Sequence, residues 1–226
     1  MLAERFQKLK KALIARQSDL TVLMENVRKP HNMSAILRSC ESIGIHRAHI
    51  IPGPDLRFHK PKSAAGVLRW IELKRHKNQA EAFSALKQQG MRVIAAHPSN
   101  DATPFREYDY TRPTAIVMGT EKDGLSEQAL SDADELITIP MPGLVQSLNV
   151  SVCAALILYE AQRQRELKGL YNEVSLDPET FRVTMFEWAW PRVARYCRQH
   201  KIDYPEIDMD SGEILDAKSF RKIVSG

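Results

Sequence analysis

Apolar residues return along this chain in two rhythms that take turns. Near the start, Phe6, Leu9 and Leu13 fall at helical spacing with lysines elsewhere, which predicts an amphipathic helix docked on the body with its basic face outward. From residue 20, LTVLMENV predicts a strand, NMSAILRSCESIG a helix stopped by Gly44, AHIIPG a strand and VLRWIEL a short extended segment. NQAEAFSALKQQG predicts a helix from near Asn78 to Gly90, bounded by an Asn cap and a Gly stop. MRVIAAH and TAIVMG predict strands, the second apolar throughout, as burial on both faces of a parallel sheet requires. LSEQALSDA predicts a short helix and ELITIPM another strand. Leu148, Val152, Ala155, Leu156 and Tyr159 then follow helical spacing and predict the core face of a long helix reaching about Arg165. Strands and helices that alternate in this way predict an α/β fold with a mainly parallel sheet and helices on both faces.

Beyond Gly169, prolines and a tryptophan pair interrupt the pattern, which predicts a helical extension ending in a turn and a partly ordered tail. The expected division is a basic N-terminal helix over 1–19, a main domain over 20–166 and a helical C-terminal extension over 167–226.

At 226 residues, 43% hydrophobic and 27% charged, the chain is expected to form a packed globule. No apolar run reaches transmembrane length, and the first residues lack the apolar core of a signal peptide, so a cytoplasmic location is expected. Three cysteines, Cys40, Cys153 and Cys197, are far apart and odd in number. Neither a disulfide framework nor a metal site is expected from them. The net charge of +4 gathers in three places: Arg5, Lys8, Lys10, Lys11 and Arg16; Arg57, Lys60 and Lys62; and Arg192, Arg195, Arg198 and Lys201. Three basic clusters suit a polyanion better than a small metabolite, although each alone is equally a solvated face.

No glycine-rich dinucleotide fingerprint, P-loop or nucleophile elbow occurs. Three other stretches lie where strands give way to loops or helices, the positions at which open α/β sheets bind ligands. In RKPHNMSAILRSCESIG, Asn32 stands at a helix start, as a cap or as a functional amide, and Arg38 is a surface or functional arginine. In AIVMGTEKDGLSEQAL, Glu121 lies between Gly119 and Gly124 at the end of a buried strand. In MPGLVQSLNVSVCAALILYE, Gln146, Ser147, Asn149 and Ser151 crowd a helix entrance that one capping residue would satisfy.

Together these stretches resemble the TrmH (SpoU) family of SPOUT-class RNA methyltransferases. Asn32 to Arg38 is similar to the first family motif, Met118 to Leu125 to the second, and Ile139 to Met141 with Ser147 to Ser151 to the third. They occur in the family order across residues 26–160, and FREYDYTRPTAIVMGTEK, LILYEAQRQRE and DYPEID extend the likeness toward its tRNA-directed branch. The resemblance implies a SPOUT catalytic domain with a deep C-terminal trefoil knot, an exception to un-knotted chains. It also implies a homodimer, S-adenosylmethionine as methyl donor, and tRNA as substrate, methylated on the ribose 2′-hydroxyl of guanosine 18 in the D-loop. Carried over by position, Arg38, Asn32, Glu121, Ser147 and Asn149 are the catalytic set. Ala96, Gly119, Ile139 and Leu148 are the cofactor set, acting largely through backbone groups. Arg5, Lys8, Lys10, Lys11, Arg57, Lys60, Arg192 and Arg195 are the candidate RNA contacts. Methylation of an rRNA ribose and a non-catalytic RNA-binding module are the rival readings.

Overall fold

The computed structural model describes residues 2–53, 66–120 and 123–216. Glu121, Arg57 and Lys60 lie outside the described residues. The chain divides into two compact units, one spanning residues 17–171 and one joining the N-terminal residues through 16 to those from 172 onward.

The larger unit is built on seven parallel strands: β1 (Leu20–Glu25), β2 (Arg47–Ile51), β3 (Glu72–Arg75), β4 (Arg92–Ala96), β5 (Thr103–Pro104), β6 (Thr114–Met118) and β7 (Glu135–Thr138). Their order across the sheet is β3-β2-β1-β6-β4-β7-β5. Alternate residues of the central strands feed two cores. Leu20, Val22 and Met24 of β1 face α2 (Pro30–Ser42) and α5 (Val150–Leu167), whereas Leu23 faces α3 (Gln79–Gln88) and α4 (Glu127–Asp132). Every residue of β1 and β6 is buried, as period-two side chains between two helical layers must be.

Two expectations are corrected here, and one strand was not foreseen. VLRWIEL is not extended throughout: Val67–Arg69 form a 3-10 turn, and the strand begins only at Glu72. The turn packs Val67 and Leu68 on the core and buries Ile71, which a straight strand would not do together. Strand β5 has two residues, too few for a periodic signal, and its Pro104 sits at a sheet edge where a missing N–H costs no ladder bond. Finally, the core face of α5 is Val150, Ala154, Ile157, Leu158 and Ala161, not the predicted one; Val152, Leu156 and Tyr159 are exposed. This helix is apolar on two sides, so spacing alone does not say which side meets the sheet.

The C-terminal end of α5 is fastened by Arg165, which is fully buried. Its Nε donates to the carbonyl of Tyr110 at 2.8 Å, and its two terminal nitrogens donate to Gln17 Oε1 at 2.8 Å, Asp19 Oδ1 at 2.6 Å and the carbonyl of Arg112 at 3.1 Å. One guanidinium thereby joins the segments that enter β1 and β6, and its donor fork serves acceptors on both at once.

In the smaller unit, α1 (Ala3–Ile14) packs on α6 (Pro178–Ala189), and α7 (Pro191–His200) follows after a proline break. Phe6 and Leu13 are fully buried. The turn at Gly212 closes over Phe6: its φ is +75°, and a Cβ there would lie 2.3 Å from the Phe6 ring. The indole N–H of Trp190 donates to the Gly212 carbonyl at 2.8 Å, which holds the same turn from the other side.

Candidate active site

Because all seven strands run the same way, the carboxyl ends of β4, β6 and β7 open onto one edge of the sheet. A pocket of about 380 Å³ lies there. Ala96, Gly119, Ile139 and Leu148, the four residues expected to hold the cofactor, all line it, and so does Ser147. The volume falls in the range of small-molecule sites, roughly 300–1,000 Å³.

Gly119 continues β6 into the second motif. A Cβ at this position would lie 2.2 Å from the Gly124 carbonyl oxygen, so any larger residue would push the loop open. Thr120 and Gly124 pair as an antiparallel bridge, with N–H···O distances of 2.8 and 3.2 Å, and Gly124 takes a φ of +68°. The backbone itself therefore forms this wall.

The third motif follows β7. Asn149 is the N-cap of α5: its Oδ1 accepts from the Ser151 N–H at 2.8 Å and from the Ser151 hydroxyl at 2.5 Å. Its amide Nδ2 donates to Asn32 Oδ1 at 3.3 Å. Asn32 is not a helix cap. Pro30 opens α2 two residues earlier, Lys29 is the N-cap position, and Asn32 lies within the first turn at 2% exposure. The first and third motifs therefore meet through two side-chain amides.

Arg38 stands on α2 with its side chain exposed, it does not line the pocket, and among the described residues it has no hydrogen-bond or ion-pair partner. Ser34, one turn earlier, is buried, and its hydroxyl donates to the Pro30 carbonyl at 2.8 Å. The basic residues of the smaller unit divide. Arg5, Lys8, Lys11, Arg192 and Arg195 are exposed, but Lys10 turns inward, donating to the Met209 carbonyl at 2.9 Å and pairing with Asp210 at 3.6 Å.

The pocket also takes in Gln146, one of the polar residues crowding the helix entrance, and Thr120 and Asp123, which were not singled out as site residues from sequence. Thr120 and Asp123 lie inside the second motif, and the Asp123 N–H donates to Thr120 Oγ1 at 2.8 Å. Cys153 lines the pocket as well, and burial pushes its thiol up, which keeps it protonated and unreactive. The lining holds one acid, Asp123, and neither lysine nor arginine among the described residues. Ile137, Ile139, Leu148 and Val150 supply apolar contacts, and His97 lines the pocket with Asp123. Among the described residues no group of three or more His, Cys, Asp or Glu side chains is placed to hold a metal ion, and no helix is long and apolar enough to cross a membrane.

Comparison with known proteins gives one consistent picture. A model of the SpoU rRNA Methylase family matches residues 19–159, and a model of the SpoU rRNA methylase C-terminal region matches residues 163–217. The tRNA (guanosine(18)-2′-O)-methyltransferase of Escherichia coli strain K12 is 46% identical over 213 residues, covering 93% of this chain and 92% of the relative. The crystal structure of the A. aeolicus TrmH/SpoU tRNA modifying enzyme superposes with a TM-score of 0.76 at 38% identity, covering 84% of this chain and 97% of that one. The SpoU methyltransferase AviRb from Streptomyces viridochromogenes, solved in complex with AdoMet, superposes with a TM-score of 0.61 at 28% identity, covering 68% of this chain and 61% of that one.

Proposed function

The chain belongs to the SpoU methylase family, and on that footing we propose that it is a tRNA (guanosine(18)-2′-O)-methyltransferase that uses S-adenosylmethionine. The observation that carries the reading is the pocket at the carboxyl ends of β4, β6 and β7, where backbone from the second and third motifs converges. Among the described residues its lining combines apolar side chains with one acid, Asp123, which suits a ligand that combines an adenine ring with a sulfonium. Ala96, Gly119, Ile139 and Leu148 are the residues that hold it, in the main through peptide groups. When bound, the cofactor supplies an electrophilic methyl whose leaving group departs neutral, so no general acid is required.

The protein's own work is therefore alignment and charge control. Arginine side chains keep their charge in proteins, so Arg38 acts electrostatically: it pins a phosphate of the RNA and offsets the negative charge that develops on the ribose oxygen. Asn32 and Asn149 place the ribose between the first and third motifs, with Ser147 and Glu121 completing the catalytic set. Exposed Arg5, Lys8, Lys11, Arg192 and Arg195, with Arg57 and Lys60, contact the tRNA backbone, and Lys10 is the weakest member of that group.

The same reading includes a deep trefoil knot, a catalytic domain over 20–166 flanked by the basic N-terminal helix and the helical extension, a cytoplasmic location, and a homodimer. The dimer is supported by the second apolar face of α5, where Val152, Leu156 and Tyr159 are 46%, 40% and 54% exposed in one continuous stripe. Leu156→Asp is expected to yield monomers in sedimentation velocity.

The test of the activity is transfer of labelled methyl from S-adenosylmethionine to a tRNA transcript, followed by mapping of the modified nucleotide. A transcript with 2′-deoxyguanosine at position 18 is expected to accept no label. Transfer to another nucleotide, or none to any RNA, would overturn the reading.

A further inference from the structure

A carboxylate that belongs to none of the three motifs braces the pocket from below. Glu25 is the last residue of β1, an interior strand beside the central β6, and is 4% exposed. A buried carboxylate is costly unless both oxygens are satisfied. Here one residue satisfies both: Oε2 accepts from the Ser126 N–H at 3.0 Å, and Oε1 accepts from the Ser126 hydroxyl at 2.8 Å. The two residues are 101 apart in the chain.

Ser126 is the first residue after the second-motif loop and its return to the core. The loop leaves the sheet at Gly119, beside β1 through the Met24–Met118 pairing, and returns through Gly124. Its outgoing side is set by the steric closure of Gly119 on Gly124. Its returning side is held by the Glu25 bonds. Capping of α4 does not explain Glu25, because Ser126 already caps that helix by accepting from the Ala129 N–H at 3.1 Å. What the carboxylate adds is a fixed position for the end of the loop that supplies Gly119, Thr120, Asp123 and Gly124 to the pocket wall.

We propose that Glu25 is a positioning residue for the methyl-donor pocket, acting through Ser126 on the second-motif loop. The inference rests on the reading of that pocket as the S-adenosylmethionine site. It assigns Glu25 no contact with substrate, and it places the effect on cofactor affinity rather than on RNA affinity. Leu125 and Ala129 remain buried against the α3 side of the sheet, so α4 stays docked when the brace is loosened.

Three variants test this with S-adenosylmethionine itself as the calorimetric probe and with KM for donor and tRNA measured separately. Glu25→Gln leaves one oxygen to accept from Ser126, replaces the other acceptor by an N–H donor and removes the charge, and is expected to weaken donor binding roughly tenfold, with KM for tRNA unchanged. Ser126→Asp keeps the helix cap but sets two carboxylates against each other, and is expected to weaken donor binding at least as much. Ser126→Thr keeps both the hydroxyl and the N–H and is expected to bind like wild type. If Glu25→Gln does not fold, the contrast between Asp and Thr at position 126 decides alone. Donor affinity equal to wild type in Ser126→Asp, or equal losses for donor and tRNA, would overturn the proposal. Failure of the wild-type protein to bind S-adenosylmethionine would instead overturn the assignment of the pocket.

Discussion

Asn149 Nδ2 donates a 3.3 Å hydrogen bond to Oδ1 of Asn32, across 117 residues of chain. The same Asn149 uses its carbonyl oxygen to cap α5. One side chain thus has two separable jobs, an acceptor job for the helix and a donor job toward the first motif.

Substitutions at Asn149 should separate these jobs. Asn149→Asp keeps an acceptor at the cap, so its thermal stability should stay near wild type, while the lost donor to Asn32 should lower turnover. Asn149→Ala loses both and should cost about 1 kcal/mol of stability in addition. Asn32→Ala should lower kcat more than it weakens cofactor binding. Calorimetry and steady-state kinetics on the three variants check this; equal stability of the Asp and Ala variants would count against the capping role.

Arg38 is exposed and unpaired among the described residues, so replacing it leaves no stranded partner behind. Arg38→Lys should therefore fold normally and lose most activity, by roughly 100-fold in kcat, because a point charge does not reproduce the planar fork on a phosphate. Turnover like that of wild type would remove Arg38 from the mechanism.

Arg165 should be the most sensitive polar position of the larger unit. Arg165→Met leaves Asp19, Gln17 and two backbone carbonyls without their shared donor, and should cost about 3 kcal/mol or more. Urea unfolding followed by fluorescence reads the shift. A midpoint within error of wild type would show that water replaces the guanidinium without loss.

Stability should fall on mild acidification because of a buried histidine pair. His49 Nδ1 and His76 Nε2 lie 2.8 Å apart, the rings are stacked, and each residue is 1% exposed. Burial, with His76 beside it, holds His49 down from 6.5 to about 3. His76 is lowered in the same direction, also chiefly by burial. Between these limits the unfolded chain binds more protons than the folded one, so stability is lost as pH falls through that window and is level above it. The slope attributable to His49 reaches about 1.4 kcal/mol per pH unit. His49→Gln should flatten the acid limb in unfolding titrations at neutral pH and near pH 5. An equally steep limb in that variant would assign the effect elsewhere.

The basic residues of the smaller unit should not act alike. Neutralising Arg5, Lys8, Lys11, Arg192 and Arg195 together should weaken tRNA binding and reduce its salt slope by several counterions. Lys10→Ala should leave that slope unchanged and loosen the Met209–Asp210 turn instead. Binding titrations at several salt concentrations distinguish the two sets.

The residues that the family resemblance assigned to the cofactor, Ala96, Gly119, Ile139 and Leu148, line one pocket, because parallel strands bring their carboxyl ends to one edge. Side-chain partnerships were not legible. Lys10 read as one more exposed lysine because its acceptors lie some 200 residues away at Met209 and Asp210. Asn32 read as a possible cap because the spacing does not locate the first helical turn to within two residues, and Pro30 does. Glu25 carried only the faint signal of a carboxylate ending a fully buried strand.

Local order along the chain is enough to determine strand and helix alternation, the burial of β1 and β6, and the motif order, because each depends on neighbours a few residues apart. The choice of face on α5 is different. Both of its sides are apolar, and only packing against α2 and the sheet makes one of them core and leaves Val152, Leu156 and Tyr159 outside. The same holds for Arg165, Glu25 and the Asn149–Asn32 contact. Each is a polar group whose energy depends on partners supplied by distant segments, and those partners exist only once the sheet has assembled.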